Sequence, residues 1–278
     1  QAASAYAALQ NVVRLEPEDA ESWALGGILL IDHLGMLEEA LEWWQQRRQV
    51  NPQDVTPLIE QIAILVRLGM YSEASELLEI MFESEMEQPD RQQLMNMDRV
   101  RQMVDKAAKM EKEEIFRPQN PKHPRWEIIS RMKTRKPLSE TFFLFTFVAP
   151  IVFLMGTVAM SLLGGSQYGF ILVFLIILGL FMGVSRAGAG LLQSLNRHAL
   201  DLERAIDVEG TSGKVCVPAE IRGSKLYNHT IGKRTDAFQD RHSKIIESDE
   251  VIGQKWKPNL PDFSNTKSWW GNGGESES

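Results

Sequence analysis

The sequence predicts an all-α protein: a short helix-turn-helix solenoid, a two-helix transmembrane hairpin and a mostly irregular C-terminal tail. Three observations carry this reading. A seven-residue pattern recurs after 34 positions, as Gly35-Met36-Leu37-Glu38-Glu39-Ala40-Leu41 and Gly69-Met70-Tyr71-Ser72-Glu73-Ala74-Ser75. Residues 141–185 contain no Asp, Glu, Lys, Arg or His. Charge is divided along the chain: 22 acids and 10 bases over 1–116, two acids and seven bases over 117–140, and 13 of each after 185.

A 34-residue period, with Gly at the turn between two helices and Ala at their crossing, is the tetratricopeptide pattern. In residues 20–53 the matching positions are Trp23, Gly27, Gly35, Leu37, Ala40, Trp44 and Asn51-Pro52, with one extra residue between Gly27 and Gly35. In residues 54–88 they are Leu58, Ile62, Gly69, Tyr71, Ala74, Leu78 and Met81. There Ile62 is bulky where the pattern is small, and the closing Pro is missing. Residues 1–19 read as the second helix of an earlier repeat, through Ala5, Leu9, Val12 and Leu15-Glu16-Pro17. Further chain upstream, including a targeting or transit segment, is therefore expected. Residues 90–114 read as a polar capping helix with Leu94, Met97, Val100, Met103 and Val104 on one face, since a repeat array must cover its last apolar face.

First helices of such repeats line a concave groove that holds a peptide or protein segment. Glu21, Ala24, Ile28 and Ile31 would face it in one repeat, and Thr56, Ile59, Ala63 and Val66 in the next. The groove is mostly apolar and lacks the Lys, Arg and Asn that would clamp a C-terminal carboxylate. The alternative is that some of these residues pack on an upstream repeat or on the following helix. The net charge of −12 over residues 1–116 argues against nucleic acid, because phosphate binding needs clustered Lys and Arg.

The basic linker 117–140 leads into two uncharged stretches, 141–163 and 168–185. A bilayer core of ~30 Å needs about 20 helical residues, so both can span it, joined by the turn Gly164-Gly165-Ser166-Gln167. Arg131, Lys133, Arg135 and Lys136 precede the pair, Arg186, Arg197 and Arg204 follow it, and the turn carries no base. Both termini are therefore expected on the cytoplasmic or stromal side. Pro150 is expected to kink the first span. Small residues recur at every fourth position, as Thr157, Ser161 and Gly165 on one span and Gly179, Gly183 and Ala187 on the other. Such stripes let helices approach closely, either the partner helix of the hairpin or another membrane protein.

A helical extension is predicted over 186–207 and a polar tail over 208–278, with a short strand possible at Lys214-Val215-Cys216-Val217. Trp256, Trp269 and Trp270 there are candidate docking anchors or, equally, residues that rest on the protein's own surface or the lipid interface. The lone Cys216 excludes an intramolecular disulfide. Gly210-Thr211-Ser212-Gly213-Lys214 is too short for a phosphate loop, and Val215 stands where Ser or Thr is needed. His33, His123, His198, His229 and His242 lack metal-ligand spacing. The sequon Asn228-His229-Thr230 falls on the wrong side of the membrane for glycosylation. The residues point to no catalytic constellation, cofactor or metal.

Two repeats followed by a two-span hairpin, carried by Gly35/Ala40, Gly69/Ala74, the two spans and their basic flanks over residues 20–190, resemble the Low Photosystem II Accumulation family of chloroplast thylakoid proteins. The resemblance implies a non-catalytic assembly or repair factor that assists insertion of a reaction-centre subunit into photosystem II. The expected partners are a membrane-protein client and the lipid bilayer. A membrane adaptor that recruits soluble machinery to a bacterial or organellar membrane is the alternative, and an enzyme whose catalytic domain lies upstream is a third.

Overall fold

A computed structural model describes residues 1–83, 89–108, 115–165 and 168–264. The described residues are helical apart from turns and one isolated bridge between Val215 and Val251. The short strand expected at 214–217 is reduced to that bridge.

The first six helices are α1 (Ala2–Leu15), α2 (Ala20–Ile28), α3 (Leu37–Val50), α4 (Thr56–Leu68), α5 (Tyr71–Glu83) and α6 (Arg91–Ala108). Each packs on the next in chain order, and α6 also lies across α4. Residues 84–88 and 109–114, assigned above to the second repeat and the capping helix, lie outside the described residues. Helix α4 ends at Gly69 with φ +78°, a left-handed conformation that costs glycine nothing, and Met70 N closes the turn on Leu65 O at 2.8 Å. After α2 the corresponding closure, Met36 N to Leu30 O at 2.9 Å, reaches one residue further back. The reason is the extra residue between Gly27 and Gly35. It is absorbed by winding Leu29–Leu34 as a π-helical turn rather than by a longer loop.

Ala40 and Ala74 are fully buried, as are Trp23, Leu37, Leu41, Leu58, Ile62 and Leu65 of the same core. Trp43 and Trp44 lie against the backbone of α2 at Gly26 and Gly27, and a Cβ on Gly27 would come within 2.5 Å of Trp44 Cζ2. Trp43 donates Nε1 to Trp23 O at 2.8 Å, and Trp23 donates Nε1 to Pro17 O at 2.8 Å. Indoles bury large areas, so this cluster anchors the first helix pairs.

Residues 140–163 form one helix: α8 (Glu140–Phe143), a second π-helical turn (Leu144–Val148) and α9 (Ala149–Leu163). It packs on α10 (Gly169–Leu195). Ser139 starts it by accepting from Phe142 N at 3.2 Å. Pro150 follows the π turn directly; a proline ring crowds the carbonyl four residues back, and the wider turn makes room. Both helices are long and apolar enough to cross a membrane, with mean hydropathy 2.3 and 2.4. Only 17% and 6% of their most apolar stretches are buried, the reverse of a soluble core helix. Ser166 and Gln167 of the expected turn lie outside the described residues.

The mostly irregular tail is corrected by the structure, and the basic linker has structure of its own. The linker holds α7 (Pro124–Met132). Helix α11 (Arg197–Ser212) runs past residue 207, and the expected tail contains α12 (Lys225–Ile231) and α13 (Asp236–Ser248). A second core joins them, with Ile129, Leu202, Ala205, Ile206, Ile221, Leu226 and Phe238 almost wholly buried. Ser224 and Thr235 cap α12 and α13 by accepting from Tyr227 N and Phe238 N. Helix α11 packs on α3 and α4, and α13 on the π-helical turn after α2, so the N- and C-terminal parts share one end of the hairpin.

Candidate functional site

The residues predicted to line the groove do not act as one surface. Ala24 and Ile28 are exposed, while Ile31, Ala63 and Val66 are half-buried against the core. Ile59 is buried, with 4% exposure, and is not a free groove residue. The physical reason is α6. Thr56, on the same face of α4, accepts from Gln93 Nε2 of α6 at 2.9 Å, so the following helix covers what would have been the open side.

The turns marked by Gly35 and Gly69 are instead where the C-terminal helices dock. A helix end leaves its last carbonyls without intrahelical donors, and cations there also meet the negative end of the helix dipole. Arg204 of α11 donates Nε to Arg67 O at 3.1 Å and Nη2 to Val66 O at 3.4 Å, and its guanidinium lies 5.3 Å from the centre of the Tyr71 ring. Arg241 of α13 donates Nη1 to Leu34 O at 2.8 Å, while Thr235 donates to Asp32 O at 2.9 Å. The Phe238 ring lies on Gly35, and Gly210 brings α11 close to the Gly35 carbonyl. Asp207 sits between Arg67, at 2.9 and 3.1 Å, and Arg234, at 2.8 Å. The sequence reading missed all of these. Their signal was only Arg204 and Asp207 at the end of the predicted helical extension and Arg234 and Arg241 scattered over a segment read as polar tail.

The hairpin is tied to this assembly at its base. Asn196 accepts from Leu138 N at 2.9 Å and donates to Leu138 O at 2.8 Å, clamping the entry to one span against the exit from the other. Arg125 of α7 pairs with Asp201 of α11, its Nε lying 2.6 Å from Oδ2. Within the hairpin the close approaches are made by Gly156 against Ile177 and Gly188 against Phe143. The predicted stripes are elsewhere. Thr157, Ser161, Gly165, Gly179 and Gly183 are exposed, and a Cβ on any of the three glycines would meet nothing within 4 Å. The Ala187 side chain lies outside what is described. Spacing shows that a stripe exists but not which way it turns.

After α13 the chain runs back over the first core. Trp256, Leu260 and Phe263 rest partly buried on the first core. Gln45 Nε2 donates to Asp262 O at 3.1 Å and Arg48 Nη1 to Phe263 O at 2.9 Å. Trp256 is thus an anchor onto the protein's own surface, while Trp269 and Trp270 lie outside the described residues.

One buried polar cluster gathers residue types that elsewhere do chemistry. Glu209, wholly buried, accepts from Cys216 N and Val217 N at 2.7 Å each, and His242 Nε2 donates to it at 2.9 Å. Arg222 lies 3.5 Å from the same carboxylate. Burial, reinforced by Glu209, pushes the Cys216 thiol well up and the Tyr227 phenol up to about 12. A protonated thiol is a poor nucleophile, and the Glu209 contacts pin loop 214–217, Arg222 and α13 to α11. The cluster is a structural staple. Among the described residues no group of three or more His, Cys, Asp or Glu could hold a metal ion. Comparison with protein-family models, curated proteins and solved structures finds no match for this chain.

Proposed function

We propose that the chain is a membrane-anchored, non-catalytic protein–protein interaction scaffold that assists assembly or repair of a membrane complex. Following the family resemblance, the complex is photosystem II in the thylakoid membrane and the client a reaction-centre subunit. The observation that carries this reading is the coupling of two units: helix pairs with a tetratricopeptide echo, docked through Asp207, Arg204 and Arg241 onto helices continuous with an apolar hairpin. A scaffold held so near its anchor suits a client that is itself embedded in the bilayer, because tethering raises the effective concentration of one partner beside the other. The bases flanking the hairpin support a scaffold end on the stromal or cytoplasmic side. The outward-facing small residues of the hairpin offer a close-packing surface to the client's spans. Affinity purification of the tagged full-length chain from detergent-solubilised thylakoids tests this. Photosystem II core subunits are expected in the eluate, and their absence contradicts the assignment.

A further inference from the structure

We propose that the helical assembly rests on the bilayer through a basic surface at the base of the hairpin. Lys133, Arg135 and Lys136 of the linker build it together with Lys225 and Lys233 of α12 and the turn that follows, and its ligand is the layer of anionic lipid headgroups on that side. The inference rests on the membrane-spanning reading of the hairpin and adds an electrostatic contact to the apolar anchor.

The fold brings these cations together from two distant places in the chain. Residues 133–136 follow α7, and only Pro137 separates Lys136 from Leu138, which Asn196 clamps at the mouth of the hairpin. Helix α12 starts on the same stretch: Leu226 N donates to Lys133 O at 2.9 Å, which sets Lys225 beside the linker. Leu226, Tyr227 and Thr230 turn into the second core, so Lys225, Asn228 and His229 form the outer face. At the other end of α12, His229 lies within reach of both Lys233 and Lys136. Burial, then these two cations, hold its imidazole below the ordinary value. Lys225, His229 and Lys233 follow each other at every fourth position, the spacing of one helical face.

Nothing in the protein neutralises this surface. Neither 133–136 nor 225–233 contains an acid, and among the described residues none of the five cations pairs with a carboxylate. Their neighbours are matched: Arg125 by Asp201, Arg131 by Glu127, Arg222 by Glu209 and Arg234 by Asp207. Gathering like charges is unfavourable unless an opposite charge faces them. Beside the mouth of a membrane hairpin, the surface that faces them is the headgroup layer, and anionic lipids attract basic segments next to a span. The repeats carry 22 acids against 10 bases over 1–116, so the same headgroups repel them. The two forces together orient the assembly with α12 toward the lipid.

The test places the full-length chain in lipid nanodiscs, of phosphatidylcholine alone or with about a third phosphatidylglycerol. A fluorophore on Asn228→Cys reports contact with lipid carrying a headgroup nitroxide, a quencher of short range. Quenching is expected to be several-fold stronger in the anionic discs. Salt of about 1 M, where the screening length is about 3 Å, should remove the difference. Lys136→Gln, Lys225→Gln and Lys233→Gln combined should remove it as well, and these side chains are exposed, so the fold is kept. A matched protein with Lys244→Gln, Lys255→Gln and Lys257→Gln changes the net charge equally and should retain the difference. Equal quenching in the two discs, or equal loss in both triple variants, overturns the proposal. A chain that enters the discs without lipid dependence loses this surface and keeps the hairpin, whereas one that does not enter them loses both.

Discussion

Gly35 meets two demands at once. Its φ of +63° is a conformation that non-glycine residues rarely adopt, and a Cβ there would overlap the Phe238 ring. Gly35→Val should therefore strain the turn before α3 and push α13 off it. The expected loss is at least about 2 kcal/mol, combining a left-handed non-glycine residue with overpacking, and is measured by thermal unfolding in detergent. Tyr227 offers a test by pH. Desolvation, and then Glu209, raise its phenol from 10.0 to about 12. The folded chain thus keeps a proton that the unfolded chain releases near 10. Its contribution to stability is full below pH 10 and falls as pH rises through about 12. Comparing the alkaline unfolding profile with that of Tyr227→Phe isolates this slope, and identical slopes for the two proteins would contradict the burial of the phenol.

At the scale of elements, the docking of α11–α13 on the helix pairs is held by polar groups more than by a shared apolar face. Asp207→Ala removes the carboxylate that bridges Arg67 and Arg234 and leaves them only the more distant charges of Glu203 and Asp32. The expected cost is about 3 kcal/mol, the lower end for a broken buried pair, since both arginines are partly exposed. It should appear as faster amide exchange at the end of α4 and in α12, with α1 unchanged. This docking explains what the sequence could reveal. The helix pairs were legible because Gly35/Gly69 and Ala40/Ala74 solve local problems, a turn and a helix crossing. The hairpin was legible because 45 residues without charge leave few alternatives. The C-terminal helices were not. Helix α12 has seven residues, too few for a helical period to stand out, and its core partners Trp126 and Ile129 lie on the far side of the hairpin in sequence. Ile59 was left open between groove and packing for a related reason: its burial lies on the face of α4 that α6 covers, a neighbour that no spacing within α4 discloses. The π turn at Leu29–Leu34 is the opposite case, because its extra residue was countable in the sequence while its accommodation was not.

For the molecule as a whole, the arrangement is a pair of helices long and apolar enough to cross a membrane with a helical assembly at one end, in which chain before and after the hairpin is packed together. Everything proposed about a membrane client depends on that arrangement. It can be tested with cysteine labelling in sealed membrane vesicles, and the chain is suited to it because its single Cys216 is half-buried with its thiol held protonated. Single cysteines are introduced at the exposed positions Gln10, Gln254 and Gly165, and a membrane-impermeant maleimide is added from one side at a time. The account predicts that Gln10→Cys and Gln254→Cys label together from one side and Gly165→Cys only from the other. Labelling of Gln10→Cys and Gln254→Cys from opposite sides, or of all three from the same side, would contradict it.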